Sequence, residues 1–312
     1  MFGITALKVL LMISYGVPGY LLVKSKHLGE ESIKAFAKVL LYVCSPALSI
    51  YNLSSVETTE KSIKELFVFF ALSLVAQVVI ILVFGVVFKK RMKKDAAYKL
   101  CAVTGACGNV GFFGMPLLEY LLPNIPSVRI YSAAFSITMN IIGWTLGLLL
   151  MTGDRKYIKL KAVFINPSVI AFSVSLVLFV FDIKFPALPA EYIETFARMS
   201  TVVCMTVLGM RLATKKLSTI FSNYRVYIAA FLKLVVFPIV VLGIFYVVPV
   251  DETVRTSAFI LACCPAATML QSLAETHGGD GKTAADIVLA TSILCIFTIP
   301  LMWTLYSTYI LA

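Results

Sequence analysis

The sequence predicts an all-α integral membrane protein. Of its 312 residues, 60% are hydrophobic and only 14% are charged, whereas a soluble domain carries charge at about a quarter of its positions. The mean hydropathy is +0.94. So many apolar side chains cannot all be buried inside a water-soluble globule, because the surface scales too slowly with mass. Many of them are therefore expected to face lipid.

Ten apolar runs, called spans 1 to 10 below, can be marked along the chain. Each is expected to form a helix, because a backbone exposed to lipid must satisfy its own hydrogen bonds. The runs lack the alternation that β-barrel strands would show, and at roughly 20 residues they have the length that crosses a bilayer. They cover residues 4–23, 35–53, 66–88, 97–122, 129–152, 163–182, 192–213, 226–248, 254–276 and 284–311.

The loops between these runs differ in charge. Nineteen lysine and arginine residues, Arg211 among them, follow odd-numbered spans, whereas six lie in the loops on the other side. Positively charged loops stay in the cytoplasm, so we expect a cell-membrane protein with both termini extracytoplasmic. The net charge of +11 is then explained by topology and by anionic membrane lipids, and no nucleic-acid partner is predicted.

The ten spans divide into two five-helix repeats, residues 1–153 and 154–312. A unit of five spans begins and ends on opposite sides, so the second copy is inverted. The fourth span of each half carries a break. Span 4 contains Gly105, Gly108, Asn109 and Pro116, and span 9 contains the run 263–268. Paired interruptions at corresponding positions point to the binding site of a transporter.

The break in span 4 presents groups that a solute could use. Pro116 has no N–H, so the carbonyl of Phe112 loses its helical partner. Asn109 adds a donor and an acceptor, and the glycines let another backbone approach. Two half-helices meeting here would point a positive dipole end at an anion. The alternative is a close-packed kink in which Asn109 only joins helices.

The break also carries a family signature. The run Asn109-Val110-Gly111-Phe112-Phe113-Gly114-Met115-Pro116-Leu117 resembles the N-x-G-F-x-G-x-P-L motif of the auxin efflux carrier family, which includes bacterial malate and malonate carriers and plant PIN-type auxin exporters. Weaker resemblances follow in the family's order: Ser45-Pro46-Ala47-Leu48, Asn166-Pro167, Pro265-Ala266-Ala267 and Ala274-Glu275-Thr276-His277-Gly278-Gly279-Asp280. The proline that many members carry in span 7 is absent near Val203.

The resemblance implies a ten-helix inverted-repeat fold like that of Na⁺/H⁺ antiporters and bile-acid transporters, with spans 4 and 9 crossing at their breaks. It implies a scaffold domain and a moving transport domain, each drawn from both repeats, with elevator-type alternating access. The solute would be a small organic anion such as malate, malonate or an auxin-like indole acid. The predicted substrate-binding residues are Gly108, Asn109, Val110, Gly111, Pro116, Pro46, Asn166, Pro265, Ala266, Ala267, Thr268 and Gln271.

Other polar residues lie within or beside the spans. Lys233, about seven residues into span 8, has two interpretations. It snorkels to the surface or supports the crossing, or it couples transport to an anion or proton. Gln77 and Asn140 are predicted to form interhelical hydrogen bonds. A solvated position near a span end is predicted for Glu119, Glu275, His277 and Asp286.

Other functions fit these residues less well. An intramembrane enzyme needs paired carboxylates, a His/Asp set or a metal cluster, and the two histidines, His27 and His277, fall in loops. The seven cysteines lack a metal-ligand spacing, so neither a metal nor a cofactor is expected. A channel and a proton- or sodium-coupled symporter of the bile-acid type remain alternatives, and a homodimer stays open.

Overall fold

A computed structural model describes residues 2–154, 167–276 and 279–311. Asn166 and His277, two residues singled out from the sequence, lie outside this part of the chain. The main helices are α1 (Phe2–Lys24), α2 (Glu30–Ser54), α3 (Glu60–Val87), α4a (Ala97–Thr104), α4b (Val110–Leu121), α5 (Val128–Thr152), α6 (Pro167–Val180), α7 (Ala187–Ala213), α8 (Tyr224–Val247), α9a (Glu252–Ala262), α9b (Met269–Thr276) and α10 (Gly281–Tyr309). Two single-turn helices, Lys89–Met92 and Leu217–Ile220, lie in loops.

The described residues include seven helices that are long and apolar enough to cross a membrane: α1, α2, α3, α5, α7, α8 and α10. Spans 4 and 9 do not qualify, because each is split into two short helices. Span 6 is described only from Pro167, and α6 is a shorter apolar helix. The structure therefore confirms an all-α protein that crosses the membrane several times, while the number ten stays a prediction.

The outer surface of the helices is apolar. Large hydrophobic side chains remain exposed along α1, α3 and α8, with Leu7 at 68%, Val86 at 73% and Val247 at 85% of their maximal area. A soluble protein rarely leaves so much contiguous apolar surface uncovered. This belt is the surface expected to contact lipid.

Two sets of helices pack closely within themselves. In one set, α1 and α2 pack on α7, and the second half of α2 also packs on α6. In the other, α3 packs on α5, α8 on α4a and α9a, and α10 on α8 and α9b. An aromatic cluster centres on Phe69 of α3, whose ring centroid lies 4.9 Å from that of Tyr131 and 5.3 Å from that of Phe245. The sets meet where α1 packs on α10 and α2 on α5.

Helices α1 and α7 approach to backbone contact. A Cβ added to Gly16 would lie 2.8 Å from the carbonyl oxygen of Met205, and one added to Gly209 would overlap the carbonyl of Gly16. Only glycine permits this separation. Helix α7 runs unbroken from Ala187 to Ala213, as expected from the missing proline near Val203.

Wide π-helical turns occur at four places in the described helices: Leu40–Cys44, Val110–Gly114, Gly143–Gly147 and Leu232–Val236. Such turns insert one extra residue into a helix and are frequent at functional sites. The first precedes Pro46, and the second follows the break of span 4. All four contribute residues to the region described next.

Candidate functional site

The breaks of spans 4 and 9 meet and satisfy each other. The amide of Asn109 donates to the carbonyl of Pro265 over 2.7 Å, and the amide of Ala267 donates to the carbonyl of Cys107 over 3.0 Å. Gly108 and Ala266 form an antiparallel bridge between these bonds. Backbone groups freed by the breaks would each cost several kcal/mol if unpaired in lipid. The two breaks therefore pair through one antiparallel bridge flanked by two hydrogen bonds, and this paired region is called the crossing below.

Side chains complete the backbone pairing around the crossing. The hydroxyl of Thr291 accepts a hydrogen bond from the amide of Ala266 at 3.1 Å while it donates within its own helix to the carbonyl of Ile287 at 2.8 Å. Ser132 donates to the carbonyl of Val110 at 3.1 Å. The carbonyl of Phe112, which Pro116 was predicted to leave without a helical partner, accepts a 2.8 Å hydrogen bond from Thr201 of α7. The crossing is thus tied to α5, α7 and α10.

Lys233 lies against the crossing rather than at a surface. Its side chain is fully buried, and its ammonium donates to the carbonyl of Ala262 at 3.1 Å. The nitrogen also lies 4.4 Å from the ring centroid of Phe237, and a Cβ on Gly108 would be 2.9 Å from it. Ala262 ends α9a, so the cation sits at the negative end of that helix. The snorkelling interpretation is therefore wrong, because the side chain turns inward to this carbonyl.

A cavity of about 380 Å³ adjoins the crossing. It extends toward the end of the helices that carries the basic loops. Half of the described candidate residues line it, namely Gly108, Asn109, Val110, Gly111, Ala267 and Thr268. The other half are not in its lining: Pro265 and Ala266 lie in the break of span 9, and Pro46, Pro116, Gln271 and Lys233 lie in the surrounding helices. The volume suits a small-molecule ligand.

Asn109 is held by its backbone and leaves its side chain at the cavity. Its carbonyl accepts hydrogen bonds from the amides of Phe113 and Gly114 at 3.2 and 3.1 Å. The side-chain nitrogen has a weak 3.6 Å contact with the sulfur of Cys204 in α7. Because that contact is weak, the carboxamide can exchange it for a better acceptor.

Several lining residues were not in the predicted set. Ser45 and Ser168 form a 2.6 Å hydrogen bond between α2 and α6, and Asn140 lines the cavity while donating to Ser136 in its own helix at 2.9 Å. Asn52 is 2% exposed, and its Oδ1 has no partner among the described residues. The remaining polar members include Ser49, Ser136, Ser272 and Arg211.

Arg211 corrects the charge count made from the sequence. It was counted with the loop after span 7 although predicted span 7 reaches residue 213, and α7, which ends at Ala213, places it in the cavity wall. One of its terminal nitrogens donates to Oε1 of Gln271, and Gln271 in turn donates to Glu275 at 2.5 Å. Its Nε is buried without a partner among the described residues. Val207 lies four residues earlier on the same helical face and also lines the cavity.

The opposite end of the helices is closed. The ring of Tyr51 lies between two guanidinium groups, 5.0 Å from that of Arg129 and 5.9 Å from that of Arg198. Each arginine also pairs with a carboxylate, Arg129 with Glu119 and Arg198 with Glu194, both at 2.7 Å. Beneath them, a small apolar cluster joins α2, α4b and α7 through Leu48, Met115 and Ala197.

Two expectations about other polar residues have clear outcomes. Gln77 donates to Thr138 of α5 at 3.0 Å, which confirms an interhelical hydrogen bond. Asp286 is 4% exposed and forms an ion pair with Lys215. Its predicted solvated position is therefore wrong, because a cation from the α7–α8 loop covers it.

A family model described as a membrane transport protein matches residues 3–303. No curated protein matches the chain at a significant level. The matched region includes both breaks, the crossing and every described residue that lines the cavity. With several apolar membrane-spanning helices around these features, the chain belongs to the auxin efflux carrier family of membrane transport proteins.

Proposed function

We propose that this protein is a secondary carrier of a small organic anion, which binds in the cavity beside the crossing of spans 4 and 9. The observation that carries the proposal is the backbone pairing between the two breaks, which forms part of the cavity wall. A membrane helix keeps such a break where it lines a cavity or a ligand. Both half-helices that follow the breaks, α4b and α9b, begin at the cavity.

The chemistry of the wall supports an anion. Helix N-termini carry partial positive charge, and the first residues of α4b and α9b, Val110 and Met269, line the cavity. Among the described residues that line the cavity, Arg211 carries the one charge, and carboxamides and hydroxyls supply further donors. Malate, malonate and an auxin-like indole acid are the candidate substrates, because a carboxylate accepts hydrogen bonds from such groups.

The proposed architecture has ten spans in two inverted five-helix repeats, residues 1–153 and 154–312. Support comes from the antiparallel pairing of Gly108 with Ala266 and from the two helix sets. The set α1, α2, α6 and α7 would be the scaffold domain, and the remaining helices the transport domain of an elevator. The basic loops support a cell-membrane orientation with both termini extracytoplasmic. Membrane lipids are the expected surroundings, and a homodimer is an alternative to a monomer.

Proton or sodium coupling is the second proposal, and the burial of Lys233 favours it. A buried cation within the membrane is expensive and usually functional. Lys233 contacts the crossing, so its charge state would affect the residues that line the cavity. Anion uptake driven by a pH gradient or a sodium gradient tests this coupling, and equal uptake without either gradient contradicts it.

An enzyme or a channel has less support. A transport family argues against catalysis, and the described residues contain no group of three His, Cys, Asp or Glu side chains placed to hold a metal. A channel would pass current without saturation. Saturable uptake in the absence of single-channel currents would favour the carrier.

Counterflow into proteoliposomes tests the proposal. Vesicles loaded with malonate, malate or indole-3-acetate are assayed for entry of the same labelled anion, with wild type, Asn109→Ala and Asn124→Gly. Asn124 is an exposed residue at positive φ, where glycine is tolerated, so this variant removes a carboxamide far from the cavity.

We expect Asn109→Ala to lower the initial rate by about tenfold or more, since a hydrogen bond to a charged group contributes about 1.5–3 kcal/mol. Gel filtration and the unfolding temperature should not change, because the contact of Asn109 with Cys204 is weak. Unchanged counterflow in Asn109→Ala removes this residue from the site. If wild type shows no counterflow with any of the three anions, the carrier proposal is wrong.

A further inference from the structure

Arg211 differs from the other described arginines in what surrounds its charge. Arg129, Arg198 and Arg225 each pair with a carboxylate. Arg91 and Arg255 lie over tyrosine rings. Arg211 has a neutral carboxamide, that of Gln271, as its described hydrogen-bond partner.

Arg211 also lies at the cavity wall. It lies near the cytoplasmic end of α7 as predicted from the loop charges, but its side chain lines the cavity. Its Nε is buried and has no partner among the described residues, although a guanidinium has five donors. A buried donor without an acceptor is costly. A ligand could therefore supply the acceptor for Nε that the described residues do not supply.

Apolar side chains cover much of the remaining wall. Trp144 and Ile137 of α5, Phe172 of α6 and Leu41 of α2 all line the cavity. No acidic residue is among the described residues that line it. A ligand that matches this wall has one negative charge at one end and an apolar body, and the cavity of about 380 Å³ sets its size.

We propose that Arg211 recognises the charge of the transported anion by binding its carboxylate, and that the site prefers a singly charged anion with an apolar body to a dicarboxylate. In this arrangement the carboxylate replaces Gln271 as the acceptor for the guanidinium, and Nε gains a partner. Arg211 is thus a specificity-determining residue in the anion site, and this inference rests on the proposed function.

The carboxylate of Glu275, beside Gln271, gives a second expectation for anion binding. Gln271 donates to Glu275, an exposed residue of the same helix. The Glu275 carboxylate lies behind the carboxamide, where its negative charge opposes the approach of an anion to Arg211. Removing this charge should therefore strengthen anion binding while leaving Arg211 in place.

Calorimetric titration of the purified full-length protein tests the inference. The probes are indole-3-acetate, malonate and malate, each compared with its neutral amide. Four variants are measured: Arg211→Gln, Arg211→Lys, Glu275→Gln and the control Lys216→Gln. Lys216 is an exposed cation five residues further along the chain, so its variant removes the same charge from the same end of the protein.

For wild type we expect indole-3-acetate to bind about tenfold or more tightly than its amide, because charge-assisted hydrogen bonds contribute about 1.5–3 kcal/mol. Arg211→Gln should lose this discrimination, Arg211→Lys should keep part of it, and Lys216→Gln should keep all of it. Glu275→Gln should bind the carboxylate more tightly by roughly twofold or more.

The outcomes separate the two proposals. If wild type binds a carboxylate and Arg211→Gln binds it equally well, the assignment of Arg211 is wrong and the carrier proposal stands. If Arg211→Gln does not fold, an unchanged or weaker affinity in Glu275→Gln overturns the assignment. A preference of wild type for malonate or malate overturns the single-charge specificity. If wild type binds none of the anions, the proposed function itself fails.

Discussion

The contact around Tyr51 and the wall of the cavity differ in how their arginines are paired. At the closed end, Arg129 and Arg198 each have a carboxylate partner and share the ring of Tyr51. At the cavity end, Arg211 has a carboxamide partner and a buried Nε that is unpaired among the described residues. The pair of Arg129 with Glu119 joins two helices, whereas we propose that the underpaired charge of Arg211 accepts a ligand. On this proposal, the first region closes one end of the bundle and the second binds the anion.

The largest effect is expected where α1 and α7 touch, two residues before Arg211 in α7. Gly209→Ala places a Cβ on the carbonyl of Gly16, and overpacking of this kind costs about 1–3 kcal/mol or more. We expect a marked fall in the unfolding temperature in detergent and a loss of anion binding, because α7 carries Arg211.

Gly243→Ala is the matched control for that substitution. A Cβ at Gly243 in α8 has no neighbour within 4 Å, so the exchange should be neutral or stabilising by up to about 1 kcal/mol, as expected from helix propensity. Equal unfolding temperatures for Gly209→Ala and Gly243→Ala would contradict the predicted collision between a Cβ at Gly209 and the backbone of Gly16.

A second test opens the closed end. All seven native cysteines are buried, so a cysteine introduced at Ala197 or Ser272 reports access of a water-soluble maleimide. Ala197 is 2% exposed beside Tyr51, whereas Ser272 is exposed at the cavity. We expect Tyr51→Ala to speed labelling at Ala197→Cys by about tenfold, since truncating a buried aromatic removes much of the local packing.

Labelling at Ser272→Cys should be fast both with and without Tyr51→Ala, because the cavity end does not depend on that ring. If Tyr51→Ala left the labelling of Ala197→Cys unchanged, the arginine and tyrosine contacts would not be what closes this end.

The smallest effect is expected between the two ends, at the bond from Thr201 to the carbonyl of Phe112. Thr201→Val keeps the shape but leaves the carbonyl unpaired, at a cost of about 1 kcal/mol in the free energy of unfolding. In a Pro116→Ala background, residue 116 regains an N–H that can bond this carbonyl within the helix. The cost of Thr201→Val should therefore fall in the double variant, and equal costs in both backgrounds would contradict this explanation.

The breaks could be predicted from the sequence, whereas most of the partners that complete them could not. Proline chemistry identified the unpaired carbonyl of Phe112 because the missing bond is local. Its acceptance of a bond from Thr201 depends on how α7 packs, which no local pattern encodes. The snorkelling alternative for Lys233 failed for the same reason, since its distance from the helix end suggested a route outward while the carbonyl of Ala262 lies inward.

Arg211 was missed for a different reason. It lies near the end of span 7, and a basic residue near a boundary was counted with the loop. Its spacing of four from Val207 puts the two residues on one helical face, but only the structure shows that this face is the cavity wall. Most of the remaining lining residues come from α2, α5 and α6, and only the tertiary packing shows that these helices share a cavity.

The contact of Gly16 with Gly209 also restricts how the protein can move. Because the two backbones touch, sliding of α1 along α7 would bring larger residues into this contact, so the contact opposes such sliding. The described side-chain hydrogen bonds between α7 and span 4 are by contrast two, one from Thr201 to the carbonyl of Phe112 and a weak one from Asn109 to the sulfur of Cys204. In the proposed elevator movement, these two bonds are the ones between α7 and span 4 that a displacement of the two helix sets would have to exchange.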